Sequence, residues 1–330
     1  MRNGEVVLLS DKDVMKTGIT IKETVKIVEE AFKAHGEGKV VLPPKPTLYI
    51  REHDIINAMP AYVKTIPIAG IKWVSVFPQN PTNHRLPTVL GTIILNDPET
   101  SIPLAIMDGT LITAMRTAST VAVGAKYLRR DDARTVGIIG AGVQARFVLK
   151  ALNEVMKIER VAVASRTKES AIRYSKELSD PLGIPIEPYE STRELVKAAD
   201  VIVTATAGVK APIVLNQDFT SGKFGATMEG EPVWDPTIAK TVDKFVVDST
   251  DQCKHGGQFY PIVRKSLVHI YGELGEIVAN RKVGREKPHE RILFWTRGVG
   301  FVDVAVASWV YKKALEQNLG QKFKLMDLKN

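Results

Sequence analysis

The feature that most constrains this chain is a short loop. Gly140-Ala141-Gly142-Val143-Gln144-Ala145 has the form G-x-G-x-x-A, follows the apolar run Thr135 to Ile139, and opens a helical pattern from about Val143 to Val155. A second apolar run, Arg160 to Ala164, ends about twenty residues further on. Each small residue has a physical use. Gly140 permits the tight turn, Gly142 lets a pyrophosphate approach the backbone, and Ala145 lets the helix pack closely on the sheet. The free N–H groups and the positive end of the helix favour phosphate charge. The unit therefore predicts a Rossmann dinucleotide-binding domain, with Gly140, Ala141, Gly142, Val143, Gln144 and Ala145 lining the cofactor.

The end of the second strand bears on which dinucleotide binds. An Asp or Glu there would bond the ribose 2′-hydroxyl and repel a 2′-phosphate. Ser165-Arg166-Thr167 stands there instead, a guanidinium between two hydroxyls. This favours NADP(H), while NAD(H) stays open, since an arginine at a strand end can also be merely solvated.

Beyond the loop, strand and helix patterns alternate: a helix from about Lys168 to Leu178, then strands at Ile184–Pro188, Asp200–Ala205 and Lys244–Asp248. That alternation implies a parallel sheet covered on both faces. The N-terminal part reads differently. Thr20 and Glu23 have capping-box spacing before a helix that Gly36 ends. Ile55–Met59, Ile71–Phe77 and Thr88–Asn96 read as strands of an antiparallel or mixed sheet, and Asp108–Leu128 as a long buried helix rich in small residues. An amphipathic helix from Val302 to Gln317 closes the pattern. The predicted fold class is α/β: a Rossmann domain over residues 129–301, inserted in an α+β domain made of residues 1–128 and completed by residues 302–330.

Composition excludes several other classes. With 330 residues, 44% hydrophobic and 25% charged, the chain can build a core without disulfides, and its single Cys253 cannot pair within it. No apolar run approaches the roughly 20 residues that cross a bilayer, and Met1 to Asp11 has no export signal, so a cytoplasmic protein without a membrane role is expected. The net charge of +8 is spread along the chain rather than gathered in a basic run, which argues against nucleic acid as partner. The six histidines lack ligand spacing such as His-x-x-x-His and there is no G-x-S-x-G elbow, so neither a metal site nor a serine hydrolase is expected.

Motifs along nearly the whole chain resemble the ornithine cyclodeaminase/mu-crystallin family. They include Met59-Pro60-Ala61, Lys72-Trp73-Val74, Leu86-Pro87-Thr88, Met107-Asp108-Gly109, Arg116-Thr117-Ala118, the loop with Gln144, Leu274-Gly275-Glu276 and Asp303-Val304-Ala305. The resemblance is nearest to the archaeal alanine dehydrogenases. It implies hydride transfer at the α-carbon of a small 2-amino or 2-imino acid, and a homodimer built on the first domain. Alanine dehydrogenase is the leading activity it implies. Ornithine cyclodeaminase and pyrroline-2-carboxylate or ketimine reductase are alternatives, as is a nucleotide-binding protein without catalysis.

The site residues follow from the chemistry and the resemblance together. A substrate carboxylate calls for arginine, which grips it with two parallel hydrogen bonds, and Arg116 matches the family's carboxylate-binding position. Lys45 matches a second such position, or is an exposed loop lysine. Lys72, between Ile71 and Trp73 on a strand, must be paired or have a lowered pKa if buried, and both suit proton transfer. It matches the family's catalytic lysine. Met59 would line the pocket or belong to the core. Thr88, Arg116, Thr117, Thr204, Thr206, Met228 and Thr296 fall at or near cofactor-contact positions. Asp303 either stands near the site or caps the last helix. One departure is plain: the family's catalytic Asp, two residues before a proline, is here Gly230 within Met228-Glu229-Gly230-Glu231-Pro232. Glu231, or Glu229, is expected to stand in for it.

Overall fold

The computed structural model describes residues 4–327, which divide into two compact units. One comprises the described residues up to Arg116 together with those from Val299 onward; the other is Thr117–Gly298.

The first unit is built on a mixed sheet ordered Gln321–Lys324, Glu5–Leu9, Pro103–Asp108, Val89–Asn96, Ile68–Val76, Ile55–Val63, Val40–Val41. Its pairings are antiparallel except for Glu5–Leu9 beside Pro103–Asp108. Along Ile55–Val63 the residues alternate, with Asn57, Met59, Ala61 and Val63 buried, so one face of the sheet is covered. The cover is the helix Gly300–Glu316, which packs on Ile55–Val63, Ile68–Val76 and the helix Ile21–Gly36. A Cβ at Gly300 would fall 2.6 Å from the Met59 carbonyl oxygen, so only glycine allows the helix to start this close to the strand. Phe301 then meets Phe32 edge to face, with ring centres 5.1 Å apart, and fixes the helix against its neighbour.

The second unit is an eight-stranded, wholly parallel sheet ordered Ile186–Pro188, Arg160–Ala164, Thr135–Ile139, Val201–Thr204, Phe224–Thr227, Ile292–Trp295, Lys244–Val247, Gly272–Glu273. Its central strands are buried along their whole length, as expected where helices cover both faces. Because the strands are parallel, their carboxyl ends share one edge. The residues after Ile139, Thr204, Thr227, Trp295 and Val247 therefore form a row.

The Rossmann class and the mixed N-terminal sheet match the sequence reading, and three local expectations are corrected. Asp108 ends a strand, and the long helix begins at Thr110. The helix Gly300–Glu316 is not amphipathic: it is buried nearly all round, because it fills the centre of its unit. Thr20 accepts from the Glu23 N–H, but only that half of the expected capping box is present. Among the described residues no helix is long and apolar enough to cross a membrane.

Candidate active site

In the first unit the fold gathers four polar side chains inside an apolar shell. Lys72 lies mid-strand, its neighbours in register being Met59 on one side and Ile93 on the other. It is fully buried, and Met59 beside it is buried too. The Lys72 Nζ donates to Asp303 Oδ1 at 2.7 Å and to Thr113 Oγ1 at 3.2 Å. Arg116 Nε lies 2.8 Å from the same Asp303 oxygen. Thr113 and Arg116 stand three residues apart on one helix, a spacing that puts both on one face. Asp303 stands in the first turn of Gly300–Glu316, and its second oxygen has no hydrogen-bond partner. The helix is capped by Val299 without a side-chain bond, so Asp303 serves Lys72 and Arg116 rather than the cap.

Burial and the Arg116 guanidinium push the Lys72 ammonium down to about 7, against the opposing pull of the Asp303 carboxylate. An amine in this state can lose or regain its proton near neutral pH. Lys45 is half-buried between the short strands Val40–Val41 and Thr47–Tyr49. Thr88 lies just before the strand Val89–Asn96, and its carbonyl accepts from the Phe77 N–H at 2.8 Å.

In the second unit the glycine loop has the shape a dinucleotide needs. Gly140 has φ +116°, and a Cβ there would sit 2.2 Å from the Ala205 carbonyl oxygen. Gly142 caps the helix Val143–Asn153 with no side-chain bond, and a Cβ there would meet nothing within 4 Å. Arg146 takes the carbonyl oxygens of Ala141 and Gly142 and pairs with Glu177. The space beside Gly142 at the start of the helix is thus open, and the loop fits a pyrophosphate. Val143 is exposed, Gln144 is half-buried, and Ala145 is fully buried against the sheet. At the end of the next strand Arg166 is exposed, Ser165 is half-buried, and Thr167 caps the following helix through the Ser170 N–H.

The row of strand ends is held by carboxylates. Glu229, nearly buried, accepts on Oε1 from the Thr206 N–H (2.8 Å) and hydroxyl (3.2 Å). Its Oε2 accepts from Thr204 Oγ1 (2.8 Å), Thr227 Oγ1 (2.7 Å) and the Met228 N–H (3.1 Å). Asp248 does the same further along: its Oδ2 accepts from Thr296 Oγ1, the Arg297 N–H and the Gly298 N–H, each at 2.7 Å. The hydroxyl protons of Thr204, Thr206 and Thr296 are thereby committed to carboxylates, and each presents lone pairs to any other partner. Glu231 binds the Gly208 and Val209 N–H groups, one with each oxygen, at 2.9 Å. Both flanking glutamates therefore hold strand ends and loops. Thr117 begins the second unit, half-buried on the helix that carries Arg116.

Sequence reasoning missed Thr113, although its distance of three residues from Arg116 was a usable signal. It also missed Glu229 and Asp248 as organisers of the strand ends, because their donors lie on separate strands. Among the described residues no group of three or more His, Cys, Asp or Glu side chains could hold a metal ion.

Comparison with known proteins places these features in a common context. The sequence model of the ornithine cyclodeaminase/mu-crystallin family matches residues 5–318. The alanine dehydrogenase of Archaeoglobus fulgidus is 36% identical over 328 residues, covering 97% of this chain and 98% of that protein. The solved structure of Thermococcus litoralis Δ1-pyrroline-2-carboxylate reductase in complex with NADH and L-proline superposes with a TM-score of 0.90 at 37% identity, covering 96% of this chain and 99% of that one. An archaeal alanine dehydrogenase dimer with bound NAD superposes with a TM-score of 0.89 at 35% identity, covering 98% and 100%.

Proposed function

We propose, from the premise that this chain belongs to the ornithine cyclodeaminase/mu-crystallin family, that it is a nicotinamide-dependent oxidoreductase of a small 2-amino or 2-imino acid. Alanine, with pyruvate and ammonia, is the simplest substrate pair. The observation that carries the reading is the buried Lys72, poised near neutrality between Asp303, Thr113 and Arg116. A bound nicotinamide supplies or accepts the hydride at the α-carbon. Everything else falls to the chain. Arg116, with Lys45, holds the substrate carboxylate and so orients the α-carbon. In the oxidative direction the neutral Lys72 amine takes a proton from the substrate ammonium, releases it to solvent, and then takes one from the water that adds to the imine carbon. In the reductive direction the Lys72 ammonium returns that proton to nitrogen. Asp303 fixes the amine's position and stabilises its charged form, and Met59 packs beside it as an apolar wall.

Glu231 is a weaker candidate for the acid beside the amine, since both its oxygens already hold loop N–H groups. The proposed cofactor is NADP(H), with NAD(H) accepted. Arg166, exposed at the strand end, would meet a 2′-phosphate there. Reduction of pyrroline-2-carboxylate is the second reading, favoured by the 37% identity to the reductase crystallised with L-proline. A homodimer built on the first unit is part of the proposal, in line with the dimeric archaeal relative. The experiment follows reduced-nicotinamide absorbance with NADPH and then NADH, against pyruvate plus ammonia and against pyrroline-2-carboxylate. Ornithine with catalytic NAD is assayed separately for proline. Oxidation by either acceptor supports the proposal, and proline formed from ornithine without it replaces the proposal with cyclodeaminase.

A further inference from the structure

Arg146 is tied into the phosphate loop from which its own helix springs. It stands near the start of Val143–Asn153, four residues after Gly142. Its Nη1 donates to the carbonyl oxygens of both Ala141 and Gly142, the second at 3.1 Å. Its Nε and Nη2 donate to Glu177 Oε2 at 2.8 and 2.6 Å. The guanidinium lies over the Tyr174 ring, 5.5 Å from its centre, and the Tyr174 hydroxyl donates to the Ala145 carbonyl at 3.0 Å. Tyr174 and Glu177 stand three residues apart on the helix Lys168–Leu182, a spacing that puts both on one face. That helix is the one Thr167 caps, directly after Ser165 and Arg166. Every partner of the arginine therefore lies within the second unit.

The peptide group converts these bonds into a direction. Neither loop peptide is cis, and in a trans peptide the C=O and the following N–H point opposite ways. With the Ala141 and Gly142 oxygens both turned to Arg146, the N–H groups of Gly142 and Val143 are turned away from it. Among the described residues no group accepts from either N–H. The Ala141 oxygen, for its part, has no described donor besides Arg146. Without the arginine, the peptide joining Ala141 to Gly142 could turn over, because glycine permits either orientation. A phosphate approaching the loop would then meet an oxygen where an N–H had been.

We propose that Arg146 is a positioning residue for the diphosphate of the bound dinucleotide, holding two loop carbonyls on its own side so that the N–H groups of Gly142 and Val143 face the phosphates. The proposal rests on the nicotinamide-dependent reading above. Glu177 and Tyr174 keep the guanidinium in place, and so tie the phosphate loop to the helix that follows the proposed ribose contact. The arginine acts through the backbone. With both Nη1 protons on carbonyls and Nε and Nη2 on Glu177, its side chain is already occupied by the protein.

The test measures binding of NADH by fluorescence, and of ADP and adenosine by ligand-observed NMR with NADH displacement, for the full chain and three variants. In Arg146→Gln the affinities for NADH and ADP should fall at least about tenfold, the loss of one good contact. Adenosine, which has no phosphate, should move less than about twofold, and the Tm of the unliganded chain should change little. A loss shared equally by adenosine, or no loss for ADP, would overturn the proposal. Arg146→Lys keeps the charge but not the planar fork that bridges two carbonyls and a carboxylate, so it should recover only part of the ADP affinity. Full recovery would mean that positive charge alone suffices, and would overturn it too. Glu177→Gln, at an exposed pair, should weaken ADP by no more than about fivefold. Tighter ADP in that variant would mean that the released arginine bonds the phosphates itself, which also overturns the positioning role. Each of these failures leaves the nicotinamide-dependent reading standing, provided NADH still binds the unaltered chain. Failure of the unaltered chain to bind NADH, NADPH or ADP would overturn both.

Discussion

Lys72 Nζ and Asp303 Oδ1 lie 2.7 Å apart with neither side chain exposed to solvent, although 231 residues separate them in the chain. A buried pair of this kind is rarely a net source of stability, because both charges lose their hydration. Its value lies in placing an amine whose proton is held loosely. Replacing Lys72 with Met should lower kcat by about 10²- to 10⁴-fold, the usual range for a positioned acid–base group. The proficient enzyme should have a pH–rate limb near 7 in kcat/KM. Stopped-flow measurement of nicotinamide oxidation between pH 5 and 9 checks both, and a profile flat across neutrality would remove Lys72 from the proton-transfer role.

The same lysine makes folding stability depend on pH in a definite direction. Its folded pKa, about 7, lies below its model-peptide value of 10.5. Between those two values the unfolded chain binds more protons than the folded one, so this group makes stability rise as pH rises through that window. The cost of burying the ammonium is full below pH 7 and is relieved progressively above it. Its share of the slope is at most about 1.4 kcal/mol per pH unit, one proton's worth. Urea unfolding of the chain and of Lys72→Met from pH 6 to 10 should give a smaller upward slope for the variant. Parallel curves would mean that the lysine keeps its ordinary pKa.

Asp303→Asn separates the carboxylate's charge from its shape. The carboxylate raises the Lys72 pKa, so its loss should move the limb of the pH–rate profile below its position near 7. Two buried cations would then share at best a neutral amide oxygen in place of a carboxylate, and breaking a buried pair typically costs about 3–5 kcal/mol. A markedly lower Tm together with an acid-shifted limb is the expected result. A lower Tm with an unmoved limb would leave Asp303 with a packing role only.

Much of the second unit was legible in the sequence, and the reason is local. Thr135–Ile139 and Arg160–Ala164 have the ends the sequence assigns them, because central parallel strands are apolar throughout and the glycine loop marks where the first one stops. Phe224–Thr227 escaped notice because it is four residues long and includes Gly225, kept small by Trp234, whose ring would lie 2.4 Å from a Cβ there. Glu5–Leu9 was equally hidden, since its partners Pro103–Asp108 and Gln321–Lys324 come from distant parts of the chain. The site divides the same way. Lys72 and Arg116 were visible as charges within apolar runs, while the partnership of Lys72 with Asp303 and the commitments of Glu229 and Glu231 are tertiary facts.

Glu229 should prove structural, with a secondary effect on cofactor binding. Its two oxygens accept from five donors at the ends of adjacent strands. In Glu229→Gln an N–H2 group would replace one oxygen and face donors, leaving them unsatisfied at about 1–3 kcal/mol for each buried group. A lower Tm is expected, along with weaker NADH binding as Thr204 and Thr206 lose their fixed positions. Fluorescence titration of NADH, beside thermal unfolding, measures both. An unchanged Tm would show that the five bonds contribute nothing net to the fold.

The glycine loop offers a paired test in which one position reports on folding and the other on binding. Gly140→Ala needs a left-handed backbone, with φ at +116°, and drives its methyl to within 2.2 Å of the Ala205 carbonyl oxygen. Since that atom belongs to the backbone of the adjoining strand end, it cannot rotate away, and the expected result is a large fall in Tm or failure to fold. Gly142→Ala has φ −83° and finds nothing within 4 Å, so its stability should stay within about 1 kcal/mol of the parent's. The added methyl would nevertheless stand where the pyrophosphate must approach the N–H groups of the helix. NADH and NADPH affinity should therefore fall at least about tenfold in Gly142→Ala, the loss of one good contact. If Gly142→Ala binds the dinucleotide as well as the parent does, the phosphates do not lie against this helix.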